Sequence, residues 1–338
     1  MKEEYGIESD SIKTDDRGKK IRAVAGYVLG IIVIGGLVYY VMENRDAFKS
    51  VLDISRGHIL GIGAGVFFYW LVSSAQTLVL FREENIRIGF WENFVVLIAS
   101  IALNYLPMRM GTLLRLRYLK AVHGLRYARY GSLFGIRLVI LIFTTGVLGC
   151  AGTIAILISG GAFSKELTLI FIALIIISIL GYIAPAPKFR NQNSAISRIW
   201  NDFSTGFEAI RNKPALAWQV MALTLLQFVA LAARLYLSFD AVQFHPSPWI
   251  LLLLVPLTTL MAFLTFTPGS MGLREGIMGY VTLASGYDFN SGIFAGVVDR
   301  VIILAMIFTV GTVCAVYVWI RMQKAVVKNL KSKRSLSQ

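Results

Sequence analysis

Residues 21–42, 133–158, 167–184 and 297–320 each form an apolar run close to or longer than the ~20 residues a helix needs to cross a ~30 Å hydrocarbon core. No soluble core needs runs of that length. In lipid, only helices and closed barrels satisfy every backbone N–H and C=O. A barrel would alternate apolar and polar residues over segments of ~10 residues, and no comparable stretch of this chain alternates. With 56% hydrophobic and 15% charged residues, the sequence reads as an all-α polytopic membrane protein.

The net charge of +14 would suggest nucleic acid in a soluble protein. Here the basic residues sit beside the apolar runs, where they set orientation and meet anionic headgroups. The expected partners are therefore membrane lipids, with no nucleic acid. Cys150 and Cys314 lie inside apolar runs and read as buried free thiols. A polar tail, 1–20, precedes a first span too long for the apolar core of a signal peptide, so no cleavable signal is expected.

Counting every apolar run as a crossing gives eight spans. With the N-terminus inside, that count exports Arg109, Arg115, Arg117, Lys120, Arg126 and Arg129, against the positive-inside rule. If 91–125 and 249–290 are instead re-entrant hairpins, the basic connectors and the C-terminal tail all fall inside. The expected arrangement is about six full transmembrane helices plus two re-entrant helical hairpins, with eight transmembrane helices as the alternative. The chain then divides into a cytoplasmic N-terminal tail (1–20), one integral membrane domain (21–322) and a basic cytoplasmic tail (323–338). Within the connector 185–213, Ile196, Ile199, Trp200, Phe203, Phe207 and Ile210 share one helical face, the pattern of a helix along the inner membrane surface.

An internal repeat supports the hairpins. LNYLPMRMG at 103–111 is followed by Gly124, seventeen residues after Pro107, and by Arg137 opening RLVIL. LTFTPGSMG at 264–272 is followed by Gly286, eighteen residues after Pro268, and by Arg300 opening RVIIL. The repeat halves span about 91–184 and 249–320, with hairpin breaks at Asn104, Pro107 and Gly111 in one and Pro268, Gly269 and Gly272 in the other. Under the preferred topology one hairpin enters from each side, so the repeats are inverted, an architecture that places a binding site near the midplane.

Charges accompany those breaks. Arg137, Arg234, Arg274, Glu275, Asp299 and Arg300 lie near or within apolar segments. Sequence neighbours such as Arg274 and Glu275 point about 100° apart on a helix and cannot pair well with each other. A lone charge at mid-bilayer costs ~2.5–3.5 kcal/mol even on the lenient insertion scale, so these groups must face one another or water. They can serve as cross-helix ion pairs or as a headgroup site, since the planar arginine fork suits phosphate. Gly61/Gly65, Gly131/Gly135, Gly272/Gly276 and Gly292/Gly296 have the small-xxx-small spacing of helix contacts. His58, His123 and His245 lack metal-ligand spacing, PGSMG is no nucleophile elbow, and no Walker loop is present. Neither catalytic residues nor a cofactor or metal are expected.

PGSMGLRE at 268–275, Gly286 and Asp299–Arg300, paired with NYLPMRMG at 104–111, resemble the transmembrane, flippase-like region of lysylphosphatidylglycerol synthases over about residues 20–325. That resemblance implies a stand-alone member without the soluble domain that makes the aminoacylated lipid, hence lipid translocation and no aminoacyl-lipid transferase activity. The family's first half often carries an acid after the glycine and another before the arginine, where this chain has Thr112 and Ile136. The function expected is movement of an amphipathic, phosphate-bearing lipid across the cell membrane, with both termini cytoplasmic. Arg109, Arg115 and Arg117 would attract the headgroup at the cytoplasmic mouth and Arg137 and Arg300 would hold it deeper, with Arg274 a further headgroup or ion-pair candidate and Glu275 or Asp299 as counter-ion or proton carrier. The alternative is a non-catalytic scaffold for a separate lipid- or glycan-modifying enzyme.

Overall fold

A computed structural model describes residues 54–83, 86–105, 110–158, 165–184, 195–263 and 272–335. The expected first span at 21–42 and the residues Pro107, Arg109, Pro268 and Gly269 lie outside these. All regular structure among the described residues is helical. Long helices α1 (Arg56–Glu83), α4 (Tyr127–Ile158), α5 (Lys165–Ile183) and α7 (Pro214–Asp240) each have the length and apolarity to cross a membrane. A fifth such span, Phe289–Lys324, is built from α10 (Phe289–Met306), a π turn (Ile307–Gly311) and α11 (Thr312–Ser335).

Between them lie two pairs of short helices. In the first, α2 (Phe90–Leu103) and α3 (Met110–His123) have 14 residues each; in the second, α8 (Pro248–Phe263) has 16 and α9 (Leu273–Ala284) has 12. At 1.5 Å per residue none exceeds about 24 Å, too short to cross alone. Each pair returns to the end where it began. Glu92 at the start of α2 bonds His123 at the end of α3, 3.0 Å apart. Phe244, just before α8, packs edge-on against Tyr287, just after α9, with ring centroids 4.9 Å apart. Both hairpins end in a glycine in the left-handed region, Gly124 at φ 70° and Gly286 at φ 85°. These are equivalent positions of the repeat, and a side chain at either would strain the turn that launches the next long helix.

The two halves run in opposite directions. Equivalent helices α1 and α7 are antiparallel: Gly61 lies against Leu237, Gly65 against Arg234, and Gln76 donates to Thr224 Oγ1 at 2.7 Å. At one end of the bundle, Lys213 pairs with Glu83, Arg126 with Asp202 and Arg321 with Glu92. At the other, Asp240 bridges His58 and His245, each at 2.8 Å. The first hairpin therefore rises from the basic end and the second descends from the opposite end. The swap of partners follows the same symmetry: α4 packs on α8 through Gly152 against Leu252 and Leu253, and the last long span packs on α2 through Gly311 against Ala102.

Helix α6 (Ala195–Arg211) carries the strongly amphipathic stretch of the connector. Its Phe203 and Phe207 pack onto Gly131 and Gly135 of α4, and Ser132 Oγ donates to the Phe203 carbonyl at 3.0 Å. The apolar face is thus spent partly on the bundle, while Trp200 stays exposed. The final helix also continues past the last apolar residues to Ser335, into the segment read from sequence as a tail. Cys150 and Cys314 are both unpaired.

Glycines mark where helices approach most closely. A Cβ on Gly111 would sit 1.8 Å from the Ser100 carbonyl oxygen, and one on Gly292 2.4 Å from that of Met278. Gly276 faces open space. Thermal denaturation in detergent should therefore show Gly111→Ala and Gly292→Ala destabilised by about 1–3 kcal/mol, the usual cost of overpacking, with Gly276→Ala at least as stable as the parent.

Candidate functional site

The helix breaks bring charge to mid-depth. Arg137 lies ten residues into α4 from the basic end, and Arg300 eleven residues into α10 from the opposite end. Both are about 15 Å deep along their helices, half the thickness of a hydrocarbon core. Between them opens a cavity of about 430 Å³, and Arg137, Arg234, Arg274 and Arg300 all contribute to its wall. The rest of the lining is mainly apolar or aromatic, including Val66, Tyr69, Ile101, Leu138 and Ile303, with Gln227 and Thr258 adding polar atoms.

Two carboxylates, both fully or nearly fully buried, hold three of these arginines. Asp299 lies 2.7 Å from Arg234 Nε through Oδ1 and 2.6 Å from Arg274 Nη2 through Oδ2. Arg234 Nη2 also donates to Oδ2 at 3.4 Å. Glu275 accepts from Arg300 Nε at 3.0 Å through Oε1 and from the Gly272 N–H at 2.7 Å through Oε2. That second bond caps α9: Gly272 has φ 79°, and the Glu275 side chain reaches back to the backbone before its own helix. The adjacent pairs seen in sequence are thus divided among partners. Arg274 on α9 reaches Asp299 on α10, and Arg300 on α10 reaches Glu275 on α9, a crossed pair of bridges that locks the second hairpin to its long helix.

Arg137 is different. Its Nη2 donates to Ser73 Oγ on α1 at 3.2 Å, and among the described residues no carboxylate lies within ion-pair distance. It is half-buried because its remaining surface faces the cavity. Ser73 belongs to a polar stripe on α1. Its neighbour Ser74 accepts from Asn93 on α2 at 2.9 Å, and Gln76 accepts from Gln227 on α7 at 3.1 Å. Each such bond satisfies a group that would otherwise be orphaned in a dry interior.

The other residues singled out from sequence fall elsewhere. Arg115 is buried away from the cavity, donating to Asn93 Oδ1 at 3.3 Å with its guanidinium 6.0 Å from the Phe81 ring centroid. Asn104 takes a structural part: its Oδ1 accepts from the Thr112 N–H at 3.0 Å, satisfying an otherwise orphaned donor at the start of α3. Gly111 and Gly272 sit at the starts of the returning helices. Tyr69, Ser73 and Gln227 were not singled out beforehand. The readable signal was polar residues in register inside apolar spans, SSAQT at 73–77 and Gln227.

Removing one carboxylate tests how this cluster is held. Asp299→Asn leaves Arg234 and Arg274 facing each other without their counter-charge, and a broken buried pair costs about 3–5 kcal/mol. A large fall in the thermal midpoint is expected, with partial recovery in the double variant Asp299→Asn/Arg274→Gln.

Comparison with known proteins gives one family. Residues 27–311 match the family described as the lysylphosphatidylglycerol synthase TM region. No curated protein matches the chain. With the match covering most of the chain, and with two broken-helix repeats enclosing a charged cavity, this protein belongs to the lysylphosphatidylglycerol synthase TM region family.

Proposed function

We propose that the protein translocates an amphipathic, phosphate-bearing lipid across the cell membrane, and that it does so as a transporter and not as an enzyme. The observation that carries this reading is the cavity itself: four arginines contribute to its otherwise mainly apolar wall at mid-depth, three of them held from behind by two buried carboxylates. A headgroup crossing a bilayer needs replacements for its hydration shell, and arginine forks supply paired donors to phosphate oxygens. The acyl chains can remain against the apolar face.

The inverted repeats supply a route to both sides. The two hairpins reach the cavity from opposite ends, so rocking one half against the other would expose it alternately. The interactions near each mouth fit that arrangement. Glu92 joins Tyr118, His123 and Arg321 at the basic end, and Asp240 joins His58 and His245 at the other. The basic end is assigned to the cytoplasm by its excess of arginine and lysine, which puts the C-terminus inside. With the six spans expected from the sequence, the N-terminus lies on the same side. A scaffold for a separate lipid-modifying enzyme, the alternative open to the sequence, would have no use for a charged hollow at this depth.

Reconstitution into liposomes with acyl-labelled phospholipids and external dithionite measures the movement directly. The parent should expose inner-leaflet phosphatidylglycerol at a rate well above protein-free vesicles, and Arg137→Gln or Arg300→Gln should slow it at least ten-fold. Lipid movement indistinguishable from empty vesicles, for anionic and zwitterionic lipids alike, would sink the translocation reading.

A further inference from the structure

The two repeats are not electrically equivalent. Matching Gly111 to Gly272 places Leu114 opposite Glu275, and matching Arg137 to Arg300 places Ile136 opposite Asp299. The second repeat thus carries its arginine together with a carboxylate, Arg300 with Glu275 at 3.0 Å. The first keeps the arginine and substitutes aliphatic residues at both acidic positions. Among the described residues Arg137 donates to the hydroxyl of Ser73, with Tyr69 and Tyr130 nearby and no carboxylate within ion-pair distance.

The carboxylates, meanwhile, are fully committed. Asp299 engages Arg234 through one oxygen and Arg274 through the other. Glu275 engages Arg300 through one oxygen and the Gly272 N–H through the other. All four carboxylate oxygens have a cationic or N–H partner. Among the described residues an ammonium group in the cavity would find no free anion to receive it, and would face four guanidinium groups instead. A phosphate-centred anion would find Arg137.

Resting on the translocation reading above, we infer that the cargo supplies the counter-charge that the first repeat lacks: the headgroup phosphate docks on Arg137 beside Ser73, and the cavity selects net-anionic lipids while refusing headgroups that carry an aminoacyl ammonium. The selectivity is thus opposite in sign to the cationic lipid after which the family is described. Arg137 is the residue that sets it, and the asymmetry between the repeats is its source. The acids of the second repeat hold the bundle together, and their absence from the first leaves a place for the lipid.

Ser73→Asp tests this without emptying the pocket. An aspartate at this position lies next to Arg137 and gives it a resident counter-ion, so the fold is retained or stabilised while the cargo's place is taken. The readout is lipid retention by the purified protein in native mass spectrometry, which does not depend on transport. Phosphatidylglycerol should be retained at least ten-fold better than lysylphosphatidylglycerol by the parent, and Ser73→Asp should lose that preference by a similar factor with its thermal midpoint unchanged or raised. Should Ser73→Asp fail to fold, Arg137→Gln serves instead, with the same loss expected. Equal or better retention of lysylphosphatidylglycerol, or a full phosphatidylglycerol preference in the variant, overturns the inference. Because retention and movement are measured separately, a protein that binds anionic lipid selectively but moves none would refute translocation and leave the selectivity standing.

Discussion

Everything at the centre of this bundle depends on Asp299, a buried carboxylate held between Arg234 and Arg274. Three charges at this depth are tolerable because both arginines share the one carboxylate, which leaves a single positive charge in excess, and because α7, α9 and α10 bring them together from three directions. The cost of burying ions is several kcal/mol each before their mutual attraction is counted. The cluster therefore contributes little net stability. What it contributes is specification. Only one seating of the second hairpin against α10 and α7 leaves no charge stranded, so the bridges select one register out of many apolar packings of similar energy.

The hairpins themselves follow from a backbone constraint. A helix that stops inside a bilayer exposes its terminal N–H and C=O groups, and those must find partners in protein or water. Here the returning helices solve the problem with side chains: Asn104 accepts the Thr112 N–H in one hairpin, and Glu275 accepts the Gly272 N–H in the other. The second solution has a consequence for the site, since the carboxylate that caps α9 is the same one that binds Arg300. Capping and ion pairing share a side chain. Close helix approach at Gly111 and Gly292 then brings the arms of each hairpin, or the hairpin and its long helix, within reach of these short side chains.

Much of this was legible in the sequence, for physical reasons. Long apolar runs leave a bilayer-spanning helix as their solution, and the distribution of basic residues distinguished two short hairpins from two full crossings. Proline, glycine and the trailing arginine exposed the repeat because a broken helix needs special residues at fixed offsets. Pairing was not legible. Arg274 with Asp299, and Arg300 with Glu275, cross between helices whose relative rotation no periodicity encodes. Arg115 shows the same limit from the other side: a basic residue near a break looked like a mouth residue, yet its helix phase turns it toward Asn93 and Phe81. The amphipathic connector showed its apolar face, but not that Phe203 and Phe207 would find Gly131 and Gly135 of α4.

Inverted repeats ordinarily offer a cargo the same chemistry from either side. This chain keeps the backbone symmetry, with matching left-handed glycines at Gly124 and Gly286 and matching arginines at equal depth, while breaking the symmetry of charge. A symmetric pocket with acids in both halves would satisfy all its own arginines and leave a headgroup nothing to displace. One with acids in neither half would strand four arginines and would not fold around them. Under the proposed function, concentrating both carboxylates in the second repeat resolves that conflict, because every arginine of that half then has a carboxylate partner while Arg137 has none among the described residues. On that same proposal, Arg137 is where an anionic ligand gains most by binding, and the ion-paired half is the frame that keeps it in reach.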